Sequence, residues 1–425
     1  MKYIISLNCG TSSVKYAVFE KDSLRERSRG AVERVAIGGT FIRHNLAGKE
    51  EALLVKKDCA NHGEAIDLVF SALKGTLDPE YKVLNDISDA AAVGHRVLHG
   101  GDKFTKSVII NEEVKDVIKE MFVFGPLHNP ANLAGIKAVS KLAPEMPQIA
   151  VFDTAFFQTL PEKAYLYGSP YEWYKKYKIR KYGFHGTSHL YLTKRAAAFL
   201  GKSPKNINLV TLHIGNGISL TAIKNGAAVE HSMGATPLDG VMMGTRSGSV
   251  DPAIVPFIID KENKTAHEVI EQDLNRKSGL LGFCGLTDLR DLMKKMDEGD
   301  EDSVRAFDSY CYKIRSFLAA YLGVLNYEAD AIVFAGGVGE NNARTRETIC
   351  SGFEKAGLVL DKTKNEATMG NSGETDISAS GSAVKILMLP TNEEQVLLED
   401  VVALLNGSYD VHTNFKYSFE DRNWK

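Results

Sequence analysis

The chain has 425 residues, too many for one ordinary domain, so two or three domains are expected. Apolar residues make up 44% and charged residues 25%, the balance of a soluble globular protein. The formal net charge is 51 − 54 = −3, which offers no polybasic footprint for nucleic acid or a membrane surface, so bound anions must be gripped by local arginines and backbone amides. The amino-terminal MKYIISLNCG has too short an apolar run for a secretory signal, and no stretch approaches a membrane span. Cys9, Cys59, Cys284, Cys311 and Cys350 are odd in number, far apart and without CxxC spacing. They support neither a disulfide framework nor a zinc site, and a cytoplasmic protein with reduced thiols is expected.

In chain order, Tyr3–Leu7 reads as a buried strand, followed by the turn AsnCysGlyThrSerSer, an alternating strand Val14–Phe19 and a third near Gly30–Val35. Helical patterns cover Glu112–Phe122 and Pro130–Leu142. The strand Gln148–Phe152 ends at Asp153, which either points beyond the strand's carboxyl end, where ligands of α/β sheets sit, or caps the next helix. Leu209–Ile214, a Gly-Asn-Gly turn, Ile218–Ile223, an Asn-Gly hairpin and Ala227–Glu230 then repeat the opening pattern. Gly10 and Gly215 take equivalent places, which predicts a duplication: two similar α/β halves with a cleft between them. A chance likeness of two meanders is the alternative.

Ser232–Pro252 packs Gly234, Gly240, Gly244 and Gly248 around ValMetMet and a single arginine, Arg246. Such a loop brings backbone close to a ligand, and its guanidinium grips phosphate or carboxylate with two parallel bonds. The competing reading is an arginine that caps a helix or pairs with a nearby acid. The acidic run Asp297–Asp302 leads into a helix whose stripe Val304, Phe307, Cys311, Ile314, Phe317/Leu318 and Tyr321/Leu322 is core. Ala331–Phe334 is a strand running into a loop with Gly336, Gly337 and Gly339 and a helix near Arg344–Lys355. That arrangement serves phosphate binding or close helix–strand packing. The aromatic tail Asn406–Lys425 carries no chemical signal.

AsnCysGlyThrSerSerValLys places Asn8, Thr11, Ser13 and Lys15 around the first hairpin, where hydroxyls, amides and one point charge hold a polyphosphate. Arg96 stands between His95 and His99, and His185 lies in TyrGlyPheHisGlyThrSerHis. Two arginines, a histidine and an aspartate without a metal-ligand cluster suit phosphoryl transfer, which needs positioning and charge neutralisation. ProThrAsnGluGlu adds Glu393 and Glu394, with which Asn8 can share a magnesium and its waters. Against these, His95, His99 and His189 read as buried hydrogen-bonding groups, Lys15 as a surface strand lysine, and Glu394 as a helix start.

NCGTSSVK, GHRVLHGG, PLHNP, FDTAF, YGFHGTSH, HIGNG, SMGATPLDGVMMGTRSG, GGVGEN and PTNEE occur in that order between Tyr3 and about Leu404. With this set the chain resembles the acetate kinase (acetokinase) family of the acetate and sugar kinase, heat-shock chaperone and actin superfamily. The resemblance implies an α/β fold, a duplicated ribonuclease-H-like (actin-like ATPase) architecture of two domains flanking a central cleft. Residues 1–155 plus 394–425 are the expected acyl-substrate and phosphate domain, and 156–393 the nucleotide-binding domain. The implied activity is reversible transfer of the ATP γ-phosphoryl group to acetate, giving acetyl phosphate and ADP by direct in-line attack. The alternatives are a propionate or other short-chain carboxylate kinase and, remotely, a non-metabolic actin-like ATPase. ATP/ADP is the co-substrate, Mg²⁺ the cofactor with Mn²⁺ as a substitute, and a homodimer is implied, with no nucleic-acid or membrane partner.

Carried over by motif, Asn8 and Glu393 hold the metal, while Lys15, Thr11 and Ser13 touch ATP. Arg96 binds the carboxylate, and Leu98, Leu127, Phe184 and Pro237 line the acyl pocket. Asp153 is the family's proposed acid/base residue, and His185 and Arg246 stabilise the transition state. His213, Ile214, Gly215, Asn216 and Gly217 contact phosphates. Asp288, Leu289 and Arg290 with Gly337, Val338, Gly339, Glu340 and Asn341 hold the nucleotide. A carboxylate is already ionised at neutral pH, so no base is needed and Asp153 is expected to orient Arg96, Arg246 or the metal. The chain departs from the family pattern at Phe157, usually histidine, at Glu230 and His231, usually aspartate and threonine, and at GlySerValAspPro (Gly248–Pro252). Leu98 replaces the common valine, which narrows the acyl pocket and favours acetate, and the tail runs past the family's usual end.

Overall fold

Two sheets form from segments whose side chains alternate between two apolar environments. The computed structural model describes residues 2–424. It divides into unit 1, Met1–Ala155 with Asn392–Tyr417, and unit 2, Phe156–Thr391 with Ser418–Lys425.

In unit 1 the strands are β1 (Tyr3–Cys9), β2 (Ser13–Glu20), β3 (Glu26–Glu33), β4 (Phe41–Leu46), β5 (Leu53–Lys56), β6 (Ala90–Val97), β7 (Val108–Ile109) and β8 (Gln148–Phe152), ordered β5-β4-β3-β2-β1-β6-β8-β7. β1 to β5 form an antiparallel meander, and β6 and β8 run parallel to β1. Ile5, Leu7, Val14, Val18 and Val32 pack with Ile66, Val69 and Phe70 of the helix His62–Leu73. Ile4, Ala17, Ala92, Ile149 and Val151 pack instead with Leu397, Leu398 and Val401 of the helix Glu393–Leu405. A Cβ at Gly94 would stand 2.6 Å from Leu397 Cδ2, so a larger residue there would force Leu397 or the helix to shift.

In unit 2 the strands are β9 (Leu209–Ile214), β10 (Ile218–Lys224), β11 (Ala227–His231), β12 (Ala331–Ala335), β13 (Thr375–Asp376) and β14 (Lys385–Met388), ordered β11-β10-β9-β12-β14-β13. An antiparallel meander again meets two parallel strands, so β9-β10-β11 with β12 and β14 repeats β1-β2-β3 with β6 and β8. The expected duplication is therefore present in the topology. Asn225 and Gly226, at φ +52° and +75°, make the tight turn that the Asn-Gly pair predicts.

Several expectations need correction. The third strand is Glu26–Glu33, displaced toward the amino terminus because it pairs with β2 back to Phe19. Gly336–Asn341 is not a loop but a short helix, preceding the helix Ala343–Cys350. In the helix Glu301–Val324 the apolar stripe is buried except Val304, which is 37% exposed, and Phe317, which is half-buried. Asp300 caps that helix by accepting from Ser303 N. Asn392 and Glu393 fall in unit 1, and the tail beyond Tyr417 falls in unit 2, not in unit 1. The tail also contributes to the core: Tyr417 and Phe419 are buried. Among the described residues no helix is long and apolar enough to cross a membrane.

Within unit 1, buried Asp400 accepts from Ser107 Oγ at 2.6 Å and Tyr417 Oη at 2.7 Å. Burial pushes its carboxyl up from 3.8 to about 7, with the hydroxyl donors opposing. In the unfolded chain the group ionises near its ordinary value, so between pH 4 and 7 only the unfolded state releases the proton. Stability must then fall as pH rises through that window and level off above it. Denaturant titration of wild type and Asp400→Asn should therefore show wild type losing a few kcal/mol relative to the variant from pH 4 to 8. Parallel curves would mean that Asp400 ionises normally.

Candidate active site

In unit 1 the chemistry gathers at the carboxyl ends of β1, β6 and β8. Arg96, near the end of β6, donates from Nε to Asp153 Oδ1 at 2.9 Å and from Nη2 to Oδ2 at 2.8 Å. Its Nη1 pairs with Glu393 Oε2 at 2.9 Å, across from the first turn of Glu393–Leu405. Asp153 directly follows β8, is fully buried, and spends both oxygens on Arg96. Burial opposes the charge on Arg96, but the Asp153 and Glu393 carboxylates outweigh it and hold the guanidinium firmly protonated. A guanidinium has five N–H donors; with three so engaged, 5 − 3 = 2 remain for an incoming carboxylate.

Asn8 lies near the end of β1, half-buried, and its amide makes no hydrogen bond among the described residues. Thr11 Oγ1 donates to Leu127 O at 2.7 Å, which ties the first hairpin to the segment carrying Leu127. Ser13 opens β2, and exposed Lys15 lines a groove with Arg29, Arg43 and Glu394. Glu394 does not join Glu393: its Oε2 sits 3.1 Å from Arg29 Nη2. Asn132, which the sequence reading missed, accepts from Leu98 N at 3.1 Å and donates to Cys9 O at 2.9 Å. It thus fixes Leu98 relative to the first turn. His95 is buried against Gln148 Oε1 at 2.8 Å, and burial lowers its pKa to about 4. It is a structural histidine.

In unit 2, His213–Gly217 at the end of β9 meets His185, which precedes the helix Gly186–Phe199, and Arg246 of the glycine-rich loop. Gly217 marks where they converge: a Cβ there would lie 3.5 Å from Arg246 Nη1 and 3.6 Å from His185 Nε2. His185 Nδ1 meets Ser219 Oγ at 2.9 Å, and Ser219 Oγ in turn meets His189 Nε2 at 2.7 Å. The His185 and His213 rings lie 4.4 Å apart, and His213 Nδ1 meets Ser188 Oγ at 2.8 Å. Ser188, Ser219 and Thr391, which meets Ser188 Oγ at 2.8 Å, are hydroxyls that only the fold brings to the histidines.

Arg246 is half-buried, donates to Pro237 O at 3.3 Å, and has no carboxylate within ion-pair distance among the described residues. Burial lowers its pKa, with Glu271 opposing from further away. Gly244 N donates to Asn216 O at 3.1 Å, and a Cβ at Gly244 would strike Asn216 Oδ1 at 2.0 Å. The glycine loop therefore seats directly on the His213–Gly217 turn, as its glycine density suggested. Phe184 is buried beside His185.

The remaining predicted nucleotide contacts are partly occupied by the fold itself. Glu340 Oε1 accepts from Gly336 N at 2.9 Å and Thr391 N at 3.1 Å, and burial raises its pKa. Asn341 donates to Gly337 O and accepts from Gly370 N. Gly337 has open space around its would-be Cβ, while Gly339 and Ile214 pack together. Asp288 caps the helix Leu289–Asp297 and binds its own Arg290, which is 88% exposed, and Leu289 is core. Arg346, also missed, is fully buried; it donates to the Gly339, Glu340, Asn365 and Thr368 carbonyls and to Asn365 Oδ1, clamping Gly336–Asn341 in place.

Known proteins resemble the chain in sequence and in fold. The acetokinase family profile matches residues 3–399. An acetate kinase of Geobacter sulfurreducens is 48% identical over 417 residues, 98% of each chain. The crystal structure of Porphyromonas gingivalis acetate kinase superposes with a TM-score of 0.87 at 41% identity, covering 95% of this chain and 100% of that one. A propionate kinase from Francisella tularensis gives 0.85 at 37% identity, covering 94% and 99%. By profile, by sequence and by fold, the chain belongs to the acetokinase family.

Proposed function

We propose that the chain transfers the γ-phosphoryl group of ATP to acetate, reversibly. The observation that carries this reading is the side-chain-free space at Gly217, approached by a histidine and by an arginine that has no carboxylate within ion-pair distance among the described residues. An acetate oxygen forms the new P–O bond, the bond to the β,γ-bridging oxygen breaks, and its electron pair leaves with ADP. Both reactants are anions, so the site must supply positive charge, and a preorganised donor of this kind contributes roughly 10²–10³ in rate. Arg246 and His185 serve the phosphoryl group in flight. The two free N–H groups of Arg96 serve the carboxylate, with Asp153 fixing the guanidinium plane.

Asn8 and Glu393 would hold magnesium: an amide oxygen and one carboxylate suit a hard cation that keeps most of its waters. When bound, it would neutralise charge on the phosphates. Lys15, Thr11, Ser13 and the residues at 213–217, 288–290 and 337–341 would hold ATP, the last two through backbone and rim contacts.

A hydroxamate assay for acyl phosphate with ATP, magnesium and each acid in turn tests the assignment. Acetate should exceed propionate in kcat/KM by roughly 10–200-fold, since one methylene against Leu98 is worth about 1–3 kcal/mol. A preference for propionate would assign the chain to the other acid, and no acyl phosphate from any acid would leave an actin-like ATPase. The homodimer implied by the family has an apolar surface available: in the helix Ile254–Glu262 no residue is buried, and Phe257 is 58% exposed. Light scattering should give Phe257→Glu half the wild-type mass; an unchanged mass would place the contact elsewhere.

A further inference from the structure

The turn that presents His185 is held in an unfavourable backbone conformation. Gly183 has φ +79° and His185 φ +61°, on either side of Phe184, immediately before the helix Gly186–Phe199. A left-handed φ on a non-glycine residue costs on the order of 1 kcal/mol and persists only where the surroundings enforce it. Two rings lie beneath this turn. Phe157 and His231 have centroids 4.1 Å apart, and a Cβ at Gly183 would stand 2.6 Å from Phe157 Cδ2 and 2.9 Å from His231 Cδ2.

His231 ends β11 and is fully buried. Its Nε2 lies 3.1 Å from Phe184 N, and its Nδ1 lies 2.9 Å from Thr221 Oγ1. A backbone N–H can only donate, so Nε2 is bare and the proton sits on Nδ1, where it donates to Thr221. Burial first, then His189 and Lys181, push the imidazole pKa well below its ordinary value, so the neutral tautomer persists. The imidazole of His185 is held separately, through Ser219. The backbone just before His185 and the His185 side chain therefore have separate anchors.

We propose that His231 is a positioning residue for phosphoryl transfer: its Nε2 pins the Phe184 amide and thereby aims His185 at the space above Gly217. The proposal rests on the reading of His185 given above. His231→Gln can return an oxygen to the place of Nε2, whereas His231→Asn reaches only the place of Nδ1 and takes the His231 acceptor away from the Phe184 N–H. The Gln variant is expected to keep kcat within about threefold of wild type. The Asn variant should lose roughly 10²-fold in kcat, the usual effect of misplacing a reacting group by about 1 Å, with KM for ATP little changed.

Selective ¹⁵N-phenylalanine labelling should show the Phe184 amide resonance shifted in the Asn variant and preserved in the Gln variant. Wild-type kcat in the Asn variant, or equal losses in both, would overturn the proposal. Should His231→Asn fail to fold, Thr221→Val keeps the ring but frees its tautomer; a fall in kcat of roughly tenfold is expected, and none would also overturn it. His185→Ala separates the two levels. If it is fully active, the reading of the site fails; if it is inactive while His231→Asn is active, only the positioning role fails.

Discussion

Replacing Arg246 by leucine is expected to lower kcat by roughly 10²–10³-fold while leaving the melting temperature unchanged or higher. The two halves of that expectation have one cause. The guanidinium is half-buried and donates to the Pro237 carbonyl at 3.3 Å and Met243 Sδ at 3.9 Å, and no carboxylate is within ion-pair distance among the described residues. Burial already weakens its hold on the proton. Withdrawing a charge from water without a counter-ion is unfavourable for the free protein. The same charge becomes favourable when an anion enters, which is how a site gives up stability for activity. Arg246→Lys should not rescue, because a point charge lacks the planar fork. Calorimetry showing a fall of several degrees, together with retained turnover, would make Arg246 structural.

Arg96→Ala is expected to behave in the opposite way with respect to stability. It should lose at least as much activity, and it should also melt well below wild type. Asp153 is fully buried with both oxygens bonded to Arg96, so truncation takes the counter-charge from a buried carboxylate, a change that typically costs about 3–5 kcal/mol. Asp153→Asn removes the buried negative charge together with the fork, so activity should fall with a smaller stability loss. Its pH–rate profile should parallel wild type, because an ionised acceptor needs no base. A basic limb present in wild type and missing in Asp153→Asn would instead make Asp153 the base.

The parts of the fold written in short-range pattern were legible. Alternation and the Asn225-Gly226 pair marked the second meander, and its likeness to the first marked the duplication. Asp153 was placed correctly at the end of a strand, but whether it capped a helix or faced a ligand was undecided. Its partner Arg96 lies 57 residues away, and only the parallel pairing of β6 with β8 brings them together. Gly336–Asn341 read as a loop because its glycines disfavour helix, whereas the clamp from buried Arg346 enforces one. In the sequence Phe157 and His231 stand only as separate departures from the family pattern. That their rings meet under Gly183 is a tertiary fact with no local signal. The tail looked featureless for a similar reason: the partners of Phe419, such as Tyr191 at 4.7 Å, come from a distant helix.

The most direct measurement concerns the phosphoryl group in transit. Aluminium fluoride with MgADP and acetate mimics that group, and its affinity can be compared in wild type and Arg246→Leu by calorimetry. The variant should bind the mimic weaker by roughly the same 10²–10³-fold as its loss in kcat, with MgADP alone bound about as before. Equal weakening of MgADP and of the mimic would show that Arg246 binds nucleotide uniformly, and the claim that it stabilises phosphoryl transfer would be contradicted.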